Sequence, residues 1–130
     1  MGTKITEVRT VAIPVSDQDK ALAFYTESLG FEKRLDAPFG NGQRWIEVAP
    51  AGSSVSLALP PLGPHSKVGV DTGIRLTTHD AEADHQELLS RGVDADPEVL
   101  HFGEGVPPMF SFRDPDGNTL YVVERMEGGA

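Results

Sequence analysis

Apolar and polar residues alternate along this chain in short runs, interrupted twice by helical spacing. Val11-Ala12-Ile13-Pro14-Val15 reads as a strand, and behind it Leu22, Tyr25 and Leu29 recur at the interval of one helix face. Ser16 is placed as that helix's N-cap with Asp19 three residues on, and Gly30 as its left-handed stop. The pattern then repeats. Ile74-Arg75-Leu76-Thr77 predicts a strand, and a second helix opens around Thr78 to Asp80, runs through Ala81, His85, Leu88 and Leu89, and stops at Gly92. Each helix is followed by three strand-like stretches. They are Phe31 to Leu35, Arg44 to Val48 and Ser54 to Leu59, then Val99 to Phe102, Met109 to Arg113 and Thr119 to Glu124.

Turn chemistry punctuates both halves in the same place. Asp114-Pro115-Asp116-Gly117 supplies a proline that pre-sets φ and a glycine for positive φ, and Pro50-Ala51-Gly52-Ser53 makes the matching turn. Pro60-Pro61-Leu62-Gly63-Pro64 reads as a rigid connector. Gly30 and Gly92 lie 62 positions apart, and the last strands of the two halves match at an offset of 65. The expectation is an α+β fold built from a duplicated βαβββ module within one domain, 1–130. The first module covers about 5–60, the connector 60–67 and the second module about 68–126, with a frayed tail from Met126 to Ala130.

Composition narrows the function classes. The chain has 130 residues, enough for one domain with a real core. Eleven basic residues against 20 acidic ones give a formal charge of −9, which argues against nucleic-acid backbones and anionic membrane surfaces as partners. There is no cysteine, so disulfides, thiolate metal sites and cysteine nucleophiles are excluded. No apolar run approaches the roughly 18 residues of a membrane helix, and no signal-peptide core is visible, so the cytoplasm is the expected compartment.

Val15-Ser16-Asp17, Ala21-Leu22-Ala23-Phe24-Tyr25 and Leu29-Gly30-Phe31 resemble the opening helix of the vicinal oxygen chelate superfamily, which contains glyoxalase I, bleomycin-resistance proteins and extradiol dioxygenases. Phe112-Arg113-Asp114-Pro115-Asp116-Gly117-Asn118, with Leu120 and Glu124, resembles its closing hairpin. The resemblance implies two βαβββ modules, each bending a sheet into half of an open, barrel-like cleft, and pairing as a homodimer. It does not select among lyases, oxygenases and binding proteins. In metal-dependent members four side chains, usually His, Glu or Gln, hold one divalent ion. The corresponding positions here carry Thr10, Ser56, Gly73 and Tyr121, none of them a good ligand for zinc, nickel or iron. The expectation is no metal and no cofactor.

The histidines have bland readings. His79 and His85 are on different helix faces, and His65 follows the connector. His101 precedes Val106-Pro107-Pro108 and is placed near the rim of the cleft. Strand parity proposes the cleft lining, because alternate side chains face opposite sides of a sheet. It sends Thr10, Ala12 and Pro14 inward, along with Trp45, Glu47, Ser54, Ser56 and Ala58. In the second module it sends Gly73, Arg75, Thr77, Thr119, Tyr121 and Val123 the same way, and the offset of 65 from Trp45 and Glu47 adds Phe110 and Phe112. The predicted pocket has an aromatic wall of Trp45, Phe110, Phe112 and Tyr121, with Glu47 and Arg75 as its charges. Aromatic faces suit a planar or cationic ligand, and Arg75 suits a carboxylate or phosphate unless it pairs with Glu47. Tyr121 is the one candidate acid or hydrogen-bond donor for catalysis. The leading expectation is a metal-free protein of the bleomycin-resistance type that binds a small organic molecule. The alternatives are a metal-dependent lyase or dioxygenase, and an accessory protein with a vestigial cleft.

Overall fold

In the computed structural model, which describes residues 2–126, the chain divides into two units, Met1–Ser66 and Lys67–Ala130. Residues 127–130 of the expected tail lie outside the described residues. The first unit contains β1 (Thr10–Ala12), α1 (Gln18–Ala23) running on into a π-helical turn (Phe24–Ser28), β2 (Glu32–Gly40), β3 (Gln43–Ala49) and β4 (Ser56–Ala58). The second contains β5 (Asp71–Thr78), α2 (Ala81–Ser90), β6 (Asp94–Ala95), β7 (Met109–Arg113) and β8 (Thr119–Glu124). Each unit holds one four-stranded mixed sheet. The strand orders are β1-β4-β3-β2 and β5-β8-β7-β6, so first and last strands lie side by side and parallel in both. This is the α+β, twice-repeated βαβββ fold that the pattern predicts.

Local chemistry explains the helices, with one correction. Asp17, not Ser16, caps α1: it is extended at φ −139°, and its carboxylate accepts from the Lys20 amide at 3.0 Å. Gln18 fastens this helix to its sheet, donating through Nε2 to the carbonyls of Arg44 (2.6 Å) and Leu59 (2.9 Å). Gly30, at φ +77°, ends the segment as expected. In the second unit Asp80 caps α2 by accepting from the Ala83 amide, and the Glu124 carboxylate accepts from Ala81 N–H at the same helix end. Both carboxylates also complement the positive end of the helix dipole.

Burial alternates along β7 and β8, whereas 46–49 of β3 and all of β4 are buried on both faces. Ile46, Val48, Leu57 and Leu59 are buried with Ala21 and Tyr25 in the first unit; Phe110, Phe112, Leu120 and Val122 are buried with Ala81, His85 and Leu88 in the second. The stretch Val99 to Phe102 is not a strand. Asp94–Ala95 pairs with β7 instead, Pro97 interrupts the edge, and only Leu100 bridges back to Met109. No helix among the described residues is long and apolar enough to cross a membrane.

Candidate functional site

Each sheet has one face packed under its own helix and one that its helix leaves free. Along β3 the helix side takes Ile46 and Val48, so Trp45 and Glu47 point the other way. Cross-strand partners extend that face: Glu47 lies opposite Leu35 and Ala58, Trp45 opposite Ala37, and Thr10 opposite Ser56. Parity thus places Thr10, Trp45, Glu47 and Ser56 on one face, as the sequence predicts.

Glu47 is the organising group. It is only 3% exposed, and its Oε2 accepts from Trp45 Nε1 at 2.8 Å and from Arg9 Nη2 at 3.0 Å. A cavity of about 310 Å³ opens here, lined by Arg9, Arg34, Leu35, Glu47, Ser54 and Ser56 among others. Arg34 is held firmly: it donates to the carbonyls of Pro50 (3.0 Å) and Ser53 (2.5 Å), to Ser56 Oγ (3.4 Å) and to Glu32 (3.0 Å). Sequence reasoning missed both arginines. Arg34 sits where the β2–β3 register slips between Lys33 and Leu35, and a bulge breaks the alternation that parity relies on. Arg9 immediately precedes β1, its carbonyl accepting from the Ser56 amide at 3.1 Å, and alternation with Thr10 assigns it to the opposite face.

The second unit's helix-free face has a different character. Phe110 and Phe112 do not belong to it. Both are at most 1% exposed, and the Phe110 and His85 rings pack in a T with centroids 5.1 Å apart. Their neighbours Leu120 and Val122 are core as well. The offset of 65 is the source of the error. If Ser56 corresponds to Tyr121, the pairing Val48 with Leu57 maps onto Phe110 with Val122, an even offset for β3, whereas the odd value turned every side chain over. The free face carries Ser111, Arg113, Tyr121 and Arg75 instead.

Arg75 lies over the Tyr121 ring at 4.6 Å and donates to the Gly73 carbonyl. The Tyr121 hydroxyl donates to Asp71 at 2.6 Å. That bond holds the phenol above its usual titration range and, with the Gly73 amide, holds the Asp71 carboxyl below its own. Burial pushes Asp96 up, but the Ser111 amide, Arg113 and the Ser111 hydroxyl together outweigh it and leave this carboxyl low. His101 stands beside α2, with Nε2 3.1 Å from Glu82, on the helix layer rather than on the free face. Arg75 and Glu47 each have partners within their own unit.

The positions that the resemblance aligns with metal ligands carry side chains that suit a metal poorly. Thr10 pairs with Ser56, and the residue opposite Tyr121 is Arg75, while Gly73 falls in the irregular stretch of β5 at φ +71°. Two neutral hydroxyls, a guanidinium or a bare glycine, and a phenol bonded to Asp71 are a poor donor set for a divalent ion. Among the described residues no group of three or more His, Asp or Glu side chains is arranged to hold one.

Comparison with known proteins places the chain. Residues 7–122 match the Glyoxalase/Bleomycin resistance protein/Dioxygenase superfamily, and the chain belongs to it. TnmS3, an antibiotic binding protein from Streptomyces sp. CB03234, is similar at 36% identity and a TM-score of 0.82, covering 96% of this chain and all of that one. A superfamily member from Sphaerobacter thermophilus DSM 20745 is also 36% identical, with a TM-score of 0.86 over 95% of this chain and all of that one. Among curated relatives, the uncharacterized protein YetH of Bacillus subtilis is 31% identical over 123 residues, covering 92% of this chain and 99% of its own length.

Proposed function

We propose that this protein binds a small organic molecule of antibiotic type reversibly and without a metal ion, on the helix-free face of its first unit. The observation that carries the reading is the roughly 310 Å³ cavity, walled by Leu35 and by a fixed set of polar groups, with the Trp45 indole locked beside it by Glu47. Such a mixture of apolar wall and a few positioned polar groups is how small-molecule sites are built. The likeness to TnmS3, described as an antibiotic binding protein, supports the same reading. Arg75 and Tyr121 remain candidate ligand contacts of the second unit, and Tyr121, stacked and hydrogen-bonded, serves better as a binding surface than as a proton donor. The protein acts in the cytoplasm as a homodimer in this account, and its charge of −9 disfavours nucleic acid.

The test is calorimetric titration of EDTA-treated protein with bleomycin, ciprofloxacin and chloramphenicol, followed by recovery and mass analysis of each ligand. The reading expects saturable binding of at least one compound at one per chain, with the compound recovered unchanged. Chemical conversion that requires an added divalent ion, or no binding across the set, overturns it.

A further inference from the structure

We infer that the cavity of the first unit selects ligands bearing a protonated amine or amidinium, which takes the place of Arg9 on Glu47; this rests on the small-molecule reading above. Glu47 is nearly fully buried, yet both its hydrogen bonds go to one oxygen, Oε2. Oε1 accepts none, and among the described residues no sealed side-chain polar atom lacks a partner, so Oε1 opens onto the cavity that Glu47 lines. A buried carboxylate with one oxygen turned to an open cavity has room for a donor from outside.

The present cation is poorly held. Arg9 reaches Glu47 through a single Nη2 contact, and its side chain is 71% exposed. Moving it into water leaves the buried Glu47 carboxylate short of a cation, a place the incoming ligand cation then takes. Arg34 is the contrast, since its four hydrogen bonds fix it to Glu32, Ser56 and the Pro50–Ser53 turn. Once Arg9 swings out, the lining holds Glu7 and Glu47 against Arg34 alone, and the balance favours a cation. An ammonium donates to Oε1 and has the hydroxyls of Ser54 and Ser56 as further acceptors, while Leu35 offers its apolar neighbour a surface. A ligand carboxylate would meet two like charges and an arginine with four of its five N–H donors already committed.

Three probes of one shape separate the possibilities: 2-phenylethylamine, 2-phenylethanol and 3-phenylpropionate, titrated by calorimetry into the native chain and into the Glu47→Gln and Arg9→Ala variants. Near-ultraviolet circular dichroism checks that each variant keeps its packing. The amine is expected to bind about tenfold or more tightly than the alcohol, the margin of one charge-assisted hydrogen bond. Glu47→Gln removes that margin, whereas Arg9→Ala tightens amine binding several-fold and leaves the alcohol within about twofold. Equal affinities in the native chain, preference for the carboxylate, no amine binding, or weaker amine binding in Arg9→Ala each overturn the inference. If an antibiotic of the earlier set still binds, only this selectivity fails; if nothing binds in either experiment, both readings fall.

Discussion

Replacing Asn118 by alanine probes the closing hairpin, the segment by which the second unit is most readily recognised. Asn118 is fully buried and joins two parts of the chain. Its Oδ1 accepts from the amides of Gly69 (2.9 Å) and Val70 (3.2 Å), ahead of β5, and its Nδ2 donates to Asp114 Oδ2 (3.1 Å). Asp114 Oδ1 in turn accepts from the amides of Asp116 and Asn118, holding the turn after β7. Alanine removes the acceptor of two amides and one donor of a buried carboxylate. At about 1 kcal/mol for each lost bond, the low end because Gly69 and Val70 reach solvent, the loss comes to about 3 kcal/mol. For a chain of this size that corresponds to roughly 10 °C in Tm. Thermal and urea unfolding followed by far-ultraviolet circular dichroism measures it. Asn118→Asp is also expected to lose stability, by setting two carboxylates against each other. The exchanged pair, Asp114→Asn with Asn118→Asp, restores a donor facing an acceptor and recovers part of that loss. A loss below about 1 kcal/mol in Asn118→Ala, or no recovery in the exchanged pair, would refute the reasoning.

Three further outcomes follow from the same geometry. The Tyr121 phenol titrates above its usual range, and Asp71→Asn brings it down, as read by ultraviolet absorbance against pH. Because the folded phenol is raised, its small stabilisation is full below the unfolded value of about 10 and disappears as pH rises through the folded one. The lowered Asp71 carboxyl works the opposite way: its contribution is present above the unfolded value and is lost as pH falls through the folded one. Phe112→Ala costs about 3–5 kcal/mol, as expected of a core ring, and leaves ligand affinity unchanged once the protein is kept folded by cold; a selective loss of affinity would return this ring to the pocket. Dialysis against zinc, nickel, iron(II) and manganese leaves less than about a tenth of an ion per chain, while near-stoichiometric metal would contradict the donor-set argument.

Element order, both tight turns and the glycine stops were legible because they rest on local chemistry: Gly117 at φ +80° and Gly52 at φ +83° occupy the positive-φ positions assigned to them. Facing was legible in the first unit, where Thr10, Trp45, Glu47 and Ser56 share a surface, because parity was counted within each strand. It failed for Phe110 and Phe112 because parity was carried from one half to the other by an odd offset, and a strand read one residue out of step shows its opposite face. The cavity's arginines were invisible for a different reason. A bulge turns Arg34, and alternation with Thr10 assigns Arg9 to the other face, so the periodicity marks neither. The cap moved by one position because Ser16 and Asp17 are both competent acceptors, and only the extended backbone at Asp17 decides between them.

The most direct test of the binding account uses the single tryptophan. Its indole N–H is bonded to Glu47 at the edge of the proposed site, so one assigned resonance in a proton–nitrogen correlation spectrum reports on that place alone. During titration with the tightest compound of the antibiotic set, the account predicts that the Trp45 indole resonance moves and saturates with the calorimetric binding curve. Saturable heat with that resonance unmoved, while signals elsewhere shift, would contradict it.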